Sequence, residues 1–195
     1  MGRCGSMGGR SVPSLLLCLP RAAFSARIPG DSKGENFMTT EDEALKERLR
    51  RWTLILGVLQ ITVGCAVGFI PPSAVAWFRG IVMAHIEFVV NGILMVAFAF
   101  LVRELRLRPA LLKTWFGLLQ IGTWSNGAAG VAAAFLGASS QLMPTLNEKF
   151  PPPHGTEHPL VTGSLQVCGV TILAALLITL YGLARSQGPA EGDTV

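Results

Sequence analysis

The chain has 195 residues, of which 50% are hydrophobic and only 14% are charged. A soluble globular domain carries about 25% charged residues, so this composition excludes an ordinary soluble protein and favours a membrane protein. The formal net charge is +4, and the basic residues flank long uncharged stretches, which argues against a nucleic-acid partner.

The first 30 residues have the composition of a targeting presequence. They contain Arg3, Arg10, Arg21 and Arg27 together with several serines, and the first acidic residue is Asp31. This pattern is typical of a mitochondrial transit peptide, and we expect the mitochondrial inner membrane as the location. A secretory signal, leading to the secretory pathway or the plasma membrane, and an N-myristoylated start are the alternatives.

Residues 31–51 form a polar N-terminal segment that is expected to be helical from about Thr40. A transmembrane domain over 52–184 follows, and a polar tail over 185–195 ends the chain. The domain contains four mostly apolar segments that are long enough to cross a bilayer, namely Trp52–Ile70, Arg79–Val102, Leu111–Leu136 and Leu160–Ala184. We therefore predict an all-α fold, an integral membrane four-helix bundle that lies in the lipid bilayer and forms a homo-oligomer.

Basic residues predict the orientation of this bundle. Four spans place both termini on one side, and Lys and Arg concentrate on the cytosolic or matrix side of membrane proteins. Only Arg79 and Lys149 fall on the opposite side. The basic residues predicted on the side of the termini are Lys46, Arg48, Arg50, Arg51, Arg103, Arg106, Arg108, Lys113 and Arg185.

The second apolar segment carries three polar side chains, His85, Glu87 and Asn91. Polar residues inside a membrane are costly and usually line a protein interface or a cavity, so they indicate a functional site. At about 100° per residue Glu87 and Asn91 share one face, whereas His85 points about 200° away from Glu87. This helix therefore needs protein neighbours on two sides. From the residues alone His85 is a buried hydrogen-bonding residue, a proton relay of a transporter, or a cofactor ligand.

The third segment repeats small or polar residues at i+4 spacing, a pattern that lets helices approach closely: Gly122, Asn126, Gly130 and Ala134. Counted from their flanking charges, Asn91 and Asn126 both lie about 18–20 Å deep. Two asparagines at one level can hydrogen-bond each other or a shared ligand. A structural clasp between the helices is the alternative.

The segment from His154 to His158 has the H-x-x-E-H pattern of some zinc proteases, with Glu157 in the acidic position. That chemistry needs both histidines on one helical face. Prolines at 151–153 and at 159 prevent a regular helix here. We interpret the segment as a solvated loop.

Two motifs resemble those of the small four-span membrane isomerases, the hydroxylaminobenzene mutases and the styrene oxide isomerases. One is Ala-His-x-x-x-x-x-Asn-Gly, formed here by Ala84, His85, Asn91 and Gly92; the other is Trp-x-Asn. The resemblance covers roughly residues 50–184. It is closer to the mutase branch at Ala84-His85-Ile86-Glu87, Gly122-Thr123 and Met143-Pro144.

The resemblance implies an oligomeric bundle, a trimer, that holds haem b between its subunits. His85 would be the axial ligand of the haem iron, which would activate the oxygen of a small hydrophobic substrate as a Lewis acid. Asn91 and Asn126 would be the catalytic residues, and Glu87 and Trp124 would be further pocket residues. The substrate would be an aryl hydroxylamine or an epoxide, and the reaction an isomerisation.

At two positions this chain departs from the styrene oxide isomerases. Those enzymes carry a tyrosine where Gly130 stands here and an acidic residue where Gly122 stands. The choice between hydroxylamine and epoxide therefore stays open. A non-enzymatic membrane scaffold or assembly protein is the alternative function, followed by a small transporter.

Overall fold

The computed structural model describes residues 40–185, and all regular structure in that range is helical. The all-α prediction is confirmed. The predicted presequence over 1–30 and all but the first residue of the tail over 185–195 lie outside the described range. The helices are α1 (Thr40–Val67), α2 (Phe78–Leu101), α3 (Pro109–Leu136), α4 (Pro144–Lys149) and α5 (Pro159–Ala184).

Local sequence explains where the helices begin and end. The first turn of α1 contains the acidic residues 41–43, whose charge is stabilised by the positive end of the helix dipole. Pro109 and Pro159 start α3 and α5, where the missing N–H group costs nothing. Gly137 ends α3 with a φ of 62°, a left-handed conformation that glycine adopts without strain.

The connection between α3 and α5 is an ordered loop that contains α4. His154 N donates to the carbonyl oxygen of Gly137 at 2.8 Å, and His158 N donates to that of Ser139 at 3.0 Å. The sequence did not predict α4, because a helix of six residues is too short to show a hydrophobic period. The loop therefore folds back onto the end of α3.

The long helices pack in chain order: α1 lies against α2, α2 against α3, and α3 against α5. Small residues bring α2 and α3 into backbone contact. A Cβ atom on Gly80 would lie 2.4 Å from Ala134 N, and one on Gly130 would lie 2.7 Å from Ala84 N. The close approach predicted from the small residues of the third segment is thus confirmed.

One end of the molecule, which we call the basic end, gathers the start of α1 and the ends of α2 and α5. An Arg103 Nη2–Glu47 Oε2 ion pair of 3.0 Å joins the turn after α2 to α1. Arg106 N donates to the carbonyl oxygen of Gly182 on α5 at 3.4 Å. The two ends of the described chain therefore lie at the same end of the molecule.

The opposite end, the loop end, gathers the start of α2, the end of α3 and the loop with α4. Arg79 stacks on the Phe150 ring with its guanidinium carbon 3.6 Å from the ring centre. Trp77 N donates to the carbonyl oxygen of Ala134 at 3.0 Å. Since α3 begins beside the basic end and finishes here, it runs antiparallel to α2 over the same distance.

Among residues 40–185, three helices are long and apolar enough to cross a membrane: Glu41–Val67, Phe78–Glu104 and Pro159–Ala184. They fit an integral membrane protein. The third long helix, α3, has 28 residues but is not among them. It falls short in hydropathy and not in length, because it carries glycines and polar residues in its middle, among them Gln120, Thr123, Ser125 and Asn126.

Candidate functional site

Helix α2 presents three different faces. Its outer stripe is apolar and exposed, at Ile86 and Val90 for example. His85 lies on the side that meets α1, and Glu87 on the side that meets α3. Asn91 is buried within the molecule. The two-sided polarity predicted from helical geometry is present, and α1 supplies one of the neighbours from within the same chain.

The His85 ring is held by the backbone of α1. Its Nδ1 lies 2.8 Å from the carbonyl oxygen of Gly64. A carbonyl oxygen only accepts, so Nδ1 carries the hydrogen and Nε2 keeps its lone pair. Gly68 lies directly beside the ring, since a Cβ atom there would be 3.0 Å from Nδ1. The small residues of α1 therefore fix both the position and the tautomer of the imidazole.

The imidazole opens into a cavity of about 380 Å³ near the loop end, between α1 and α2. Its walls are otherwise almost entirely apolar, and the side chain of Phe69 at its rim is 87% exposed. A neutral imidazole with a free Nε2 in an apolar cavity is a competent metal ligand. The residues that line the cavity are Cys65, Gly68, Phe69, Phe78, Ile81, Val82 and His85.

On the other side of α2, Glu87 pairs with Asn126 of α3. Asn126 Nδ2 donates a short hydrogen bond to Glu87 Oε2, and both side chains are half-buried. No other hydrogen bond or ion pair reaches Glu87 within the range 40–185. The amide thus holds one carboxyl oxygen and leaves the second without a partner.

Helix α5 approaches the same pair. The thiol of Cys168 lies within electrostatic range of the Glu87 carboxyl group. One turn before Asn126, Gly122 touches α5 so closely that a Cβ atom would be 2.7 Å from Thr171 Oγ1. Glu87 therefore lies at the contact of α2 with α3, near the side of α3 that packs against α5.

Asn91 bonds to the backbone of α3 and not to the Asn126 side chain. Its Nδ2 donates to the carbonyl oxygen of Thr123 at 3.5 Å, and the side chain is 7% exposed. It does not bond to Asn126, whose amide is directed to Glu87. The structure therefore brings Asn126 and Glu87 together and places Asn91 one turn away, on the same face of α2.

Trp124 packs against α2. Its ring makes an edge-to-face contact with Phe88, with ring centres 5.7 Å apart. The Phe88 ring in turn fills the space above Gly127, where a Cβ atom would lie 2.3 Å from it. In the described molecule Trp124 therefore supports the α2–α3 contact between His85 and the Glu87–Asn126 pair.

The comparison with known families covers all of these elements. The family described as styrene oxide isomerase matches residues 49–184. The chain belongs to the styrene oxide isomerase family. The match begins in the polar part of α1 and ends with the last residue of α5.

The chain is also similar to the hydroxylaminobenzene mutase HabB of Ectopseudomonas oleovorans. The two are 28% identical over 157 residues, which cover 80% of this chain and 93% of the mutase. No solved structure matches the chain significantly. The family and this relative together support an isomerase that resides in a membrane.

In this member of the styrene oxide isomerase family, Gly122 and Gly130 are packing positions. Gly122 lies against Thr171 of α5, and Gly130 lies against the backbone of Ala84 on α2. A larger side chain at Gly130 would meet the backbone of Ala84 and require a movement of the helices, whereas one at Gly122 would displace the side chains of Thr171 and Ile172. The carboxyl group near these glycines belongs to Glu87, from α2.

Sequence reasoning missed two amides, on Gln60 of α1 and Gln120 of α3. Their side-chain nitrogen and oxygen atoms are buried and have no hydrogen-bond partner within the described residues. Buried amides without partners are costly, so these two stand out from the apolar core around them. The sequence did contain a signal for them, because a glutamine inside an apolar segment is as costly in a membrane as Asn91 and equally indicates an interface or a cavity.

The histidines of the H-x-x-E-H segment serve the loop. His154 Nδ1 bonds to the carbonyl oxygen of Leu136, and His158 Nδ1 accepts from Leu160 N at the start of α5. Glu157 accepts from Thr162 Oγ1 at 3.0 Å. Each polar group thus has a separate structural partner, in agreement with the interpretation as a loop.

Proposed function

We propose that this protein is an integral membrane isomerase that rearranges a small aryl hydroxylamine or epoxide at an interfacial haem b. The observation that carries the proposal is the His85 imidazole, which is fixed at Nδ1 by Gly64 and free at Nε2 in an apolar cavity. Family membership supports an isomerase, and an intramolecular rearrangement is the reaction that we propose.

The residues present fit a haem. Metal-bound histidines almost always donate their second ring N–H to a carbonyl or carboxylate, which fixes the ring and raises its basicity. The Nδ1–Gly64 contact supplies this feature, and Nε2 would bind the iron. When bound, the ferric iron would supply a Lewis acid that polarises the substrate oxygen.

The polar residues across α2 would then orient the substrate. His85 and the Glu87–Asn126 pair lie on different sides of α2, and in one chain they do not share a cavity. In a homo-oligomer, a trimer by family resemblance, the His85 cavity of one subunit would face the polar face of the next. Asn91 and Asn126 would hold the substrate oxygen there, and Trp124 would close the wall.

The overall rearrangement of a hydroxylamine needs no oxidant or reductant. The N–O bond breaks and a bond forms between that oxygen and a ring carbon. The ring carbon loses a proton and the nitrogen gains one, so atoms and electrons balance. The protein's task is to bind, to orient and to exclude water, and apolar walls like those of the His85 cavity suit that task.

The proposal places four helices across the bilayer, with α3 as the fourth. Its length and its antiparallel course between the two ends support this, and its polar residues would be shielded by α2 and α5. Both termini would then lie on the positively charged side, which is the matrix if residues 1–30 direct import into mitochondria.

The test is the absorption spectrum and turnover of the detergent-purified protein. We expect a Soret band in stoichiometric amount and conversion of phenylhydroxylamine or styrene oxide to an isomer of the same mass. Removal of the haem should abolish this conversion, and the apoprotein serves as the control.

A colourless, stable oligomer that converts neither substrate, even after reconstitution with haemin, would contradict the proposal. The alternative of a non-enzymatic membrane scaffold would then be favoured.

A further inference from the structure

We propose that Glu87 is the residue that selects the substrate class. Its unpaired carboxyl oxygen would accept a hydrogen bond from the N–OH group of an aryl hydroxylamine and would disfavour an epoxide. This inference rests on the proposed function, because it assigns the substrate of the same site.

The partners of Glu87 argue against a purely structural role. A carboxyl group inside a membrane is expensive and is normally paired with a basic group or with several donors. Glu87 has one donor, Asn126 Nδ2, and no basic partner in the part of the chain that the structure describes. A helix clasp could be made by two amides at lower cost, so the negative or acidic group needs another explanation.

Asn126 gives the carboxyl group a fixed orientation. A carboxyl group has acceptor lone pairs on both of its oxygens, and the amide occupies one site on Oε2. Among the described residues no group bonds to Oε1. Preorganised acceptors of this kind discriminate between ligands that can and cannot donate.

The surroundings of Glu87 allow access from the bilayer. Its neighbours on the outer face of α2, Ile86 and Val90, are 51% and 54% exposed. On the far side, α2 and α5 both pack on α3 and make little contact with each other, and Glu87 and Asn126 are only half-buried. A small aromatic molecule dissolved in lipid can therefore place its ring against apolar side chains and its polar group against Glu87.

The chemistry of the two substrate classes differs at this point. An aryl hydroxylamine has an N–H and an O–H donor, whereas an epoxide has only an acceptor oxygen. A carboxylate facing an epoxide oxygen would set acceptor against acceptor, and both would lose their hydrogen bonds. Glu87 therefore favours the hydroxylamine by attraction and rejects the epoxide by repulsion.

The decisive variant is Glu87→Gln. Glutamine keeps a carbonyl oxygen for Asn126 Nδ2 but replaces the second acceptor by an NH₂ donor. We expect kcat/KM for phenylhydroxylamine to fall about tenfold to hundredfold, whereas kcat/KM for styrene oxide stays unchanged or rises. Glu87→Asp keeps both acceptors and should retain the preference for the hydroxylamine.

A matched control is Ser125→Ala on α3. Ser125 precedes Asn126, but its Oγ donates to the carbonyl oxygen of Gly122 within its own helix, at 3.0 Å. This variant should change neither substrate's kcat/KM. Equal losses for both substrates in Glu87→Gln would mean a general structural role and would overturn the inference.

A binding experiment separates this inference from the proposed function. Benzyl alcohol can donate a hydrogen bond, and benzyl methyl ether of similar shape cannot. The purified wild-type protein should bind the alcohol more tightly, and Glu87→Gln should lose that preference. If the wild type prefers the alcohol and Glu87→Gln does not, but no substrate is isomerised, the proposed function is wrong and the binding role of Glu87 is retained. If the wild type binds both compounds equally, or if Glu87→Gln still prefers the alcohol, the inference is wrong whatever the turnover.

Discussion

His85 and Glu87 are two residues apart, yet they are held by different kinds of partner. The imidazole of His85 is fixed by a backbone carbonyl of α1, whereas the carboxyl group of Glu87 is fixed by a side-chain amide of α3. A backbone partner cannot be removed by substitution, so the His85 ring keeps its tautomer in variants elsewhere. The Glu87 contact depends on Asn126 and can be altered by either residue.

His85→Ala should lose the haem and leave a folded protein. The ring borders an open cavity, so its removal costs little packing. Among the other residues that line this cavity, only the Cys65 thiol could bind the haem iron in place of His85. The measurement is the Soret absorbance per protein together with the thermal unfolding midpoint. His154→Ala, which removes a loop histidine, is the control and should keep the haem.

Full haem occupancy with an unshifted Soret band in His85→Ala would exclude axial ligation by this residue. A shifted Soret band in His85→Ala that disappears in the double variant with Cys65→Ser would show that the cavity is right and that its thiol replaces the imidazole.

The prediction that Asn91 and Asn126 lie at the same depth shows the limit of estimating depth from sequence. Depth was counted from Arg103 and Lys113, and an error of one helical turn in that count is about 5.4 Å. Glu87 lies one turn from Asn91 on the same face, so the correct face of α2 was predicted but the wrong level. The sequence contains no signal for the vertical offset between two helices, which the packing of Gly80, Gly130 and their neighbours sets.

At the scale of the helices, the apolar segments predicted from hydropathy match four long helices within a few residues at most ends. The first helix differs most, because α1 runs from Thr40 and includes the polar segment as well as the apolar one. The charged turn and the span form one continuous helix since no proline or glycine interrupts residues 40–56. Pairing of α3 with α5 was not predictable, because hydropathy does not identify neighbours.

Close packing of α2 on α3 predicts unequal effects of two glycine substitutions. In Gly80→Ala the new methyl group meets the backbone of Ala134, so the helices must separate, and we expect a loss of about 1–3 kcal/mol of stability. Gly117→Ala is the control, because outside its own helical turn no atom lies within 4 Å of its Cβ position. It should be neutral or stabilising by about 0.5–1 kcal/mol, since alanine favours the helix.

The comparison is made by unfolding both variants in mixed detergent micelles and reading helicity. Similar losses of stability in Gly80→Ala and Gly117→Ala would contradict the backbone contact between α2 and α3.

At the scale of the whole molecule, the contacts at the two ends of the bundle agree with the segregation of basic residues along the sequence. The ion pair between Glu47 and Arg103 and the bond from Arg106 to Gly182 draw three helix ends to the basic end. Arg79 lies at the loop end, where its guanidinium stacks on Phe150. The charge segregation noticed in the sequence is therefore also a segregation in space, with the two described chain ends on the strongly positive side.

This arrangement predicts the membrane topology. If α3 crosses the bilayer with the other three long helices, epitope tags before Thr40 and after Arg185 should both lie on the same side, and a tag within α4 on the other. Protease digestion of sealed vesicles, followed by detection of each tag, measures this directly. Three spans without α3 would instead place the two terminal tags on opposite sides of the membrane, and that result would contradict the four-span arrangement. We expect the same-side result, because the basic residues at one end resist transfer across the membrane and the contacts of Arg103 and Arg106 hold both chain ends there.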